Sequence, residues 1–476
     1  MSDMNNKNRK PSQIGKMFYN LTLLLSVGVI SAVFIYFMLF SLFFKRTDIS
    51  AYDENLAEMP EFTFSSFFSG DYTTKLSHYF TDTIHNRDNF KRNASKIKAL
   101  YGVEHDEEHF GDESSLPSDV SEPVSQPIID TSDDISSDNS DENSSREESS
   151  DVSDEPSSEE SSEESSEESS IPPEQEIINN IVLLGKGSNV RAMEVYYHSE
   201  NSAKTYAERI NAFAAKVPGV KVYSMVIPKQ CAFYIKGSSK YGNLWDQSLK
   251  TDNVIKENLS GVTYVDAYHA LEKHTSEEIY ARTDHHWTGL GAFYAAEEFA
   301  KTANVPFAPM SEYELNRRQG YVGTMYSFTK SAKLLNNPED FITLVPKVEH
   351  VANFYNKDFQ FITEHDIFWF IRDDLKSGWY STFLGNDDYM VKIKSPVCKN
   401  GRKLMIIKDS YGNALSPLFM SSFEEIYVAD LRYMNVNAVD FIQNRGITDV
   451  LFAMCSYSAV NSNINSRINT ITTLGK

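Results

Sequence analysis

Between Lys16 and Lys45 run 28 residues, 17–44, without one charged side chain. Crossing a bilayer takes about 20 apolar residues, and in lipid the backbone must satisfy its own polar groups, so such a run is read as helix. Leu23, Leu24, Leu25, Val27, Val29, Ile30, Val33, Phe34, Ile35 and Phe37 dominate it. It is longer than the apolar core of a cleavable signal, and no clear small-residue cleavage site precedes Lys45, which points to an uncleaved anchor. Lys7, Arg9, Lys10 and Lys16 precede the span, whereas only Lys45 and Arg46 follow closely. The positive-inside rule then places residues 1–16 in the cytoplasm and the rest of this single-pass chain outside the cell membrane.

The net charge of −22 is concentrated rather than spread: residues 111–170 hold 21 acidic side chains against the single Arg146. The remainder is near neutral, which excludes a nucleic-acid-binding surface. Ser and Glu repeats cannot bury a core, so residues 105–175 are predicted to be a disordered, self-repelling tether. The regular ligand spacing of a calcium loop is missing. Cys231, Cys398 and Cys455 are too few and too scattered for a disulfide framework or a zinc site. One disulfide outside the cell remains open, with the pair undetermined.

Residues 51–101 are rich in aromatics, among them Phe62, Phe64, Phe67, Phe68, Tyr72, Tyr79 and Phe80. This membrane-proximal helical segment is expected to pack on the main domain, with the acidic tether inserted between them. Strand and helix patterns alternate through residues 177–476: strands at 178–184, 220–227, 263–265, 403–407, 425–429 and 449–454, helices at 202–217, 244–259, 288–303, 411–419 and 436–444. That rhythm predicts an α/β fold with a doubly wound, mostly parallel sheet. Residues 306–396 break it, and their aromatic and β-branched content suggests an inserted, strand-rich cap.

Two places could carry chemistry. One is Asp284-His285-His286-Trp287, ahead of an amphipathic helix; the other is Ser410, directly after the apolar strand ending at Ile407. Sites in open α/β sheets form outside the carboxyl ends of strands, and Ser410 sits there with its hydroxyl expected to be exposed. The following helix start would offer N–H groups to an oxyanion. A serine needs a base and the base an orienting carboxylate; His286 and Asp284, two residues apart, fit those roles. Taken alone, each place also reads as a helix cap. A metal site on Asp284, His285 and His286 is a weaker alternative, since neighbours in extended chain point apart. His105 and His109 imitate a zinc-protease spacing, but Asp106 stands where Glu is required, and the pair is set aside.

The Asp284–Trp287 run matches the signature of the DHHW protein family, which resembles the SGNH hydrolase-like polysaccharide O-acetyltransferases of the alginate acetylation type. The resemblance extends, in order, over Phe64–Gly70, Tyr79–Phe90, Val226–Lys229, Tyr280–Gly289, the Ser410 turn and Asp430–Tyr433. It implies an SGNH-like fold and a triad of Ser410, His286 and Asp284. It further implies O-acetylation or deacetylation of a cell-surface glycan, with a multi-span membrane acyltransferase as acetyl donor and no cofactor. Asn413 is assigned to the oxyanion, and Arg432, Tyr280 and Trp287 to substrate. Lys408 and Asp409 replace the small residues expected before the serine, a departure that favours the rival reading of an inactive glycan-binding protein.

Overall fold

The computed structural model describes residues 180–371 and 377–475, together with 59–68, 107–110 and scattered positions between 25 and 97. Of the predicted span 17–44 only six positions between Leu25 and Tyr36 are described, all helical; the rest of it and almost all of the acidic segment lie outside the described residues. Among the described residues no helix is long and apolar enough to cross a membrane.

Thirteen strands are described: β1 (Glu107–Phe110), β2 (Ile181–Leu184), β3 (Arg191–Glu194), β4 (Lys221–Ile227), β5 (Thr263–Val265), β6 (Tyr313–Tyr321), β7 (Glu339–Pro346), β8 (Val351–Tyr355), β9 (Phe361–Asp366), β10 (Met390–Lys394), β11 (Lys403–Lys408), β12 (Glu425–Asp430) and β13 (Asp449–Cys455). Eight of them form the main sheet in the order β5-β4-β13-β11-β12-β10-β8-β9. The first five run parallel, and the last three add antiparallel. The fold is therefore the expected mixed α/β type with a large, mostly parallel sheet.

Both faces of the parallel strands are apolar, as a sheet covered on two sides requires. Along β11, Leu404 and Ile406 face a core with the Gly289–Ala303 helix. Met405 and Ile407 face a second core with the helices Glu200–Lys216, Ala438–Arg445 and Ser462–Thr470. The period-2 pleat sends alternate residues to opposite layers. After β11 the chain turns into the first core through Tyr411 and Leu415, while after the neighbouring β13 it turns into the second through Ala459 and Ile464. Adjacent strands whose connections diverge open a crevice at their carboxyl ends, and Ser410 lies there.

The structure corrects three expectations. First, the 306–396 region is not a separate cap: β8, β9 and β10 extend the main sheet from β12, pairing an edge that would otherwise expose unmet N–H and C=O groups. Only β6 and β7 form their own two-stranded sheet. Secondly, the strand predicted at 178–184 belongs to a small antiparallel sheet, β1-β2-β3, and not to the parallel one. Thirdly, Glu107–Phe110 is strand rather than tether, with Phe110 opposite Ile181. The acidic segment thus leaves and re-enters the domain at two paired residues. In the membrane-proximal block, Phe64–Phe68 is helical. Phe62, Phe64 and Phe68 remain 54%, 74% and 82% exposed and, with Phe67, contact one another; most of the block expected to pack on the domain lies outside the described residues. All three cysteines are buried and none forms a disulfide.

The Gly289–Ala303 helix begins where Thr288 caps it, accepting from Leu290 and Gly291 N–H groups. Within its first turn, a Cβ on Gly291 would collide with the carbonyl of Ile279. Gly291→Ala gains about 1 kcal/mol of helix propensity but forces backbone apart. We expect net destabilisation of about 1–3 kcal/mol in urea unfolding; a stabilised variant would show that the turn relaxes freely.

Candidate active site

The loop before this helix carries the Asp-His-His-Trp run, and several elements hold it. Tyr280 and Trp287 pair as an isolated antiparallel bridge, so the run forms the tip of a narrow turn. On one side β3 grips it: the Ala192 amide donates to Arg282 O at 2.8 Å, and Arg191 Nη1 donates to Ala281 O at 3.0 Å. On the other, the Glu339 carboxylate accepts from the Arg282 amide (2.7 Å) and from the amide and hydroxyl of Thr283 (both 2.6 Å). Gln230, just past β4, donates to Asp284 O at 2.9 Å. Two residues so close in sequence therefore keep a fixed orientation without being inside a helix or strand.

At the tip, Asp284 Oδ1 accepts from His286 Nδ1 at 2.7 Å and from the His286 amide at 2.9 Å. Oδ2 accepts from the amide and hydroxyl of Thr324 at 2.8 and 2.9 Å. The opposite ring nitrogen, Nε2, lies 2.8 Å from Ser410 Oγ. Burial alone would raise the Asp284 carboxyl; His286, its hydrogen bond, His285 and the Thr324 amide outweigh it and hold the group well below the usual carboxylate range. A charged Asp284 in turn fixes the tautomer with the proton on Nδ1 and leaves Nε2 to accept from the serine. The three expected residues, 124 positions apart between His286 and Ser410, thus form one hydrogen-bonded relay.

The relay is less open than the sequence implied. Ser410 and His286 retain 7% and 6% of their surface. Ser410 lies in ordinary right-handed helical backbone, so its turn is not strained. The amides beyond it are already engaged: Tyr411 N donates to Asp409 Oδ1 (3.1 Å), Gly412 N to Asp409 O and Asn413 N to Ser410 O. Asp409, the unexpected carboxylate, is fully buried, and its Oδ2 accepts from the Cys455 amide at 2.8 Å. It ties the nucleophile turn to the end of β13 and is directed at backbone N–H groups.

The other expected site residues are held by partners within the protein. Asn413 donates to Asp387 Oδ1 at 2.7 Å, so its amide is turned to that carboxylate. Arg432 is held by Asp430 through Nε and Nη2, both at 2.9 Å, and reaches Asp387 with Nη2, also at 2.9 Å. Lys408 completes the cluster, donating to Asp387 at 3.0 Å and Asp430 at 2.9 Å. Burial would lower the Lys408 ammonium, but Asp387 and Asp430 keep it raised. Trp287 and Tyr280 are each 1% exposed; Trp287 Nε1 donates to Tyr411 O at 3.1 Å, and the Tyr280 hydroxyl to Pro228 O. Through these contacts all four residues brace the site, with Asn413 Oδ1 buried and not hydrogen-bonded. The polar atoms of Asp284, His285 and His286 lie within 4.8 Å of one another. His285 Nδ1 is engaged by Thr324 Oγ1 at 2.8 Å and His286 Nδ1 by Asp284, which fits a relay better than three donors converging on one ion.

Sequence reasoning missed Thr324, Glu339 and Asp387. Each acts from the stretch between the helix and β11, where no local pattern betrays a partner far away in sequence. Gly323 was also missed: a Cβ there would collide with the Asp284 side chain. Gly323→Ala is expected to swing the carboxylate off Nδ1. Sulfonylation of Ser410 by a sulfonyl fluoride, followed by mass spectrometry, should slow about 10- to 100-fold while circular dichroism stays native; an unaltered rate would mean the carboxylate is not held by this contact.

Several known proteins are similar to the chain. A DHHW family protein of Eubacterium siraeum is 40% identical, with a TM-score of 0.58 over 62% of this chain and 96% of that one. PatB1 of Bacillus cereus, solved with a sulfonyl adduct, is 17% identical with a TM-score of 0.48, over 60% of this chain and 96% of that one. The O-acetyltransferase domain of Pseudomonas putida AlgJ is 13% identical with a TM-score of 0.36, over 60% and 99%. No curated protein matches the chain. The sequence pattern of the DHHW protein family matches residues 53–429, nearly four-fifths of the chain, and the chain belongs to that family.

Proposed function

We propose that this chain is an extracytoplasmic serine acyl-transfer enzyme, anchored through residues 17–44, which moves acetyl groups onto or off hydroxyls of a cell-surface polysaccharide. The observation that carries this reading is the continuous relay from Asp284 through His286 to Ser410, with both links at 2.8 Å or less. Ser410 Oγ attacks the acetyl carbonyl as His286 Nε2 takes its proton. The tetrahedral adduct then collapses, His286 returns that proton to the leaving oxygen, and acetyl-Ser410 remains. A sugar hydroxyl or water next attacks the ester, its proton passes to His286, and Ser410 leaves with it. Asp284 stays ionised throughout and stabilises the imidazolium. The acetyl identity, the glycan and a multi-span membrane acyltransferase as donor follow from the resemblance to polysaccharide O-acetyltransferases.

A second reading, a non-catalytic glycan-binding protein, is favoured by one specific observation: the amides of Tyr411, Gly412 and Asn413 are engaged within their own turn, leaving those groups unaimed at an oxyanion. Full-length protein in detergent micelles, given a chromogenic acetyl ester, separates the two. Catalysis predicts release by the wild type and background rates for Ser410→Ala, with Asp284→Asn down about 10³- to 10⁴-fold. Background rates from the wild type, with neither acetyl nor sulfonyl adduct on Ser410, would favour the binding reading.

The direction of the Asp284 shift sets the pH dependence. A carboxyl held well below 3.8 remains charged across the acid limb, so within the relay it is protonation of His286 that removes activity there. The logarithm of kcat/KM should fall on acidification with a slope of one; a slope of two would show Asp284 titrating as well.

The pairing of Phe110 with Ile181 also changes the role of the acidic segment. Because its two ends meet, it cannot set the distance between membrane and domain; residues 45–106 do. Replacing residues 113–177 by a short turn is expected to leave glycan modification in cells unchanged. Loss of modification with an intact purified enzyme would restore the segment as a spacer.

A further inference from the structure

The catalytic base carries an aromatic partner that the relay itself does not require. The Tyr380 ring lies face to face with the His286 imidazole, centroids 3.7 Å apart and planes within 4°. His285 is at 3.8 Å, tilted by 37°. Tyr380 comes from the short 3-10 helix Ser377–Thr382, a piece of the region expected to be a cap. Its neighbour Trp379 anchors it, 1% exposed, stacked on Tyr321 at 5.6 Å and covered by the Arg318 guanidinium at 4.6 Å. The Tyr380 hydroxyl reaches Tyr411 O at 3.4 Å, a long contact beside the 3.1 Å bond from Trp287 Nε1 to the same carbonyl. It is the ring face that meets the His286 imidazole, while the hydroxyl is turned to the Tyr411 carbonyl.

We propose that Tyr380 is a positioning residue for the proton transfer: its ring face fixes the plane of the His286 imidazole, so that Nδ1 and Nε2 meet Asp284 and Ser410 together, and stabilises the imidazolium formed when Ser410 gives up its proton. Two lines of physics carry it. A ring clamped at van der Waals distance cannot roll about χ2, and a roll would break both in-plane hydrogen bonds at once. A cation over an aromatic face is also attracted by the ring quadrupole, most strongly where water is excluded. The titratable groups facing the imidazole are Asp284, His285, Ser410, Tyr380 and, at 5.2 Å between rings, Tyr411. Beyond Tyr411 lies Lys229, 5.2 Å from its ring, whose charge is paired with Glu194 at 2.6 Å. Of these groups, Tyr380 alone meets the ring in a parallel stack.

This inference rests on the acyl-transfer reading for its consequence but not for its test. Tyr380→Phe keeps the face and removes the hydroxyl; Tyr380→Leu removes the face. In full-length protein in micelles, Phe is expected within about twofold of wild type, and Leu to lower kcat and the Ser410 sulfonylation rate at least ~10-fold with KM within twofold. Independently of turnover, NMR of histidine-labelled protein should show the His286 protonation midpoint lowered by roughly 0.5 unit or more in Leu and unmoved in Phe. An unmoved midpoint in Leu, or a Phe variant as impaired as Leu, overturns the proposal. A wild type inert to both ester and sulfonyl fluoride would sink the acyl-transfer reading, while the midpoint would still decide the part played by Tyr380.

Discussion

Everything at this site hangs on one buried carboxylate. Asp284 accepts from the His286 ring and amide and from the Thr324 amide and hydroxyl. An isolated carboxylate so buried would take up a proton; four donors keep it charged. Those donors come from its own turn and from the segment after β6, while the turn is held in place by β3, Glu339 and Gln230. The small β1-β2-β3 sheet, which contributes no reacting atom, is thus a mount for the loop that does. A charge that stable gives His286 one tautomer, and a single tautomer gives Ser410 a base.

The second charged ensemble does a different job. Lys408, Arg432, Asp387 and Asp430 bring two cations and two carboxylates together at the carboxyl ends of β11 and β12. Pairs taken out of water contribute little net stability but penalise strongly any arrangement that separates them. Here the penalty falls on movement of the segment carrying Asp387, which lies seven residues beyond Tyr380 and also receives the Asn413 amide. The stretch from Tyr380 to Asp387 is thereby fastened at both ends to residues flanking the nucleophile.

Much of this was legible in the sequence, for reasons that can be stated. The apolar runs of β4, β11, β12 and β13 had to be strands buried on both faces, and a serine after such a run lies at the crevice. Asp284 and His286 were readable because their contact is local. Apart from Ser410, whose pairing with His286 the family resemblance supplied, what was missed needed a distant partner. Asn413 and Arg432 looked available because Asp387 could not be assigned to them; Trp287 and Tyr280 looked like substrate contacts because their acceptors, Tyr411 O and Pro228 O, are backbone atoms that leave no trace in composition. β8, β9 and β10 were read as a cap since antiparallel additions to a parallel sheet follow no local rhythm, and β1 was lost because four residues beside an acidic tract carry almost no periodicity.

The meeting of Phe110 and Ile181 has one more implication. The 70 residues between them form a closed excursion from a strand pair, and the entropy of closing a loop grows only with the logarithm of its length. Each doubling costs about 0.6 kcal/mol. At that junction the chain is nearly indifferent to how many residues it inserts, so length and composition there are free to drift with whatever the surroundings select, while the catalytic fold registers almost nothing of the change.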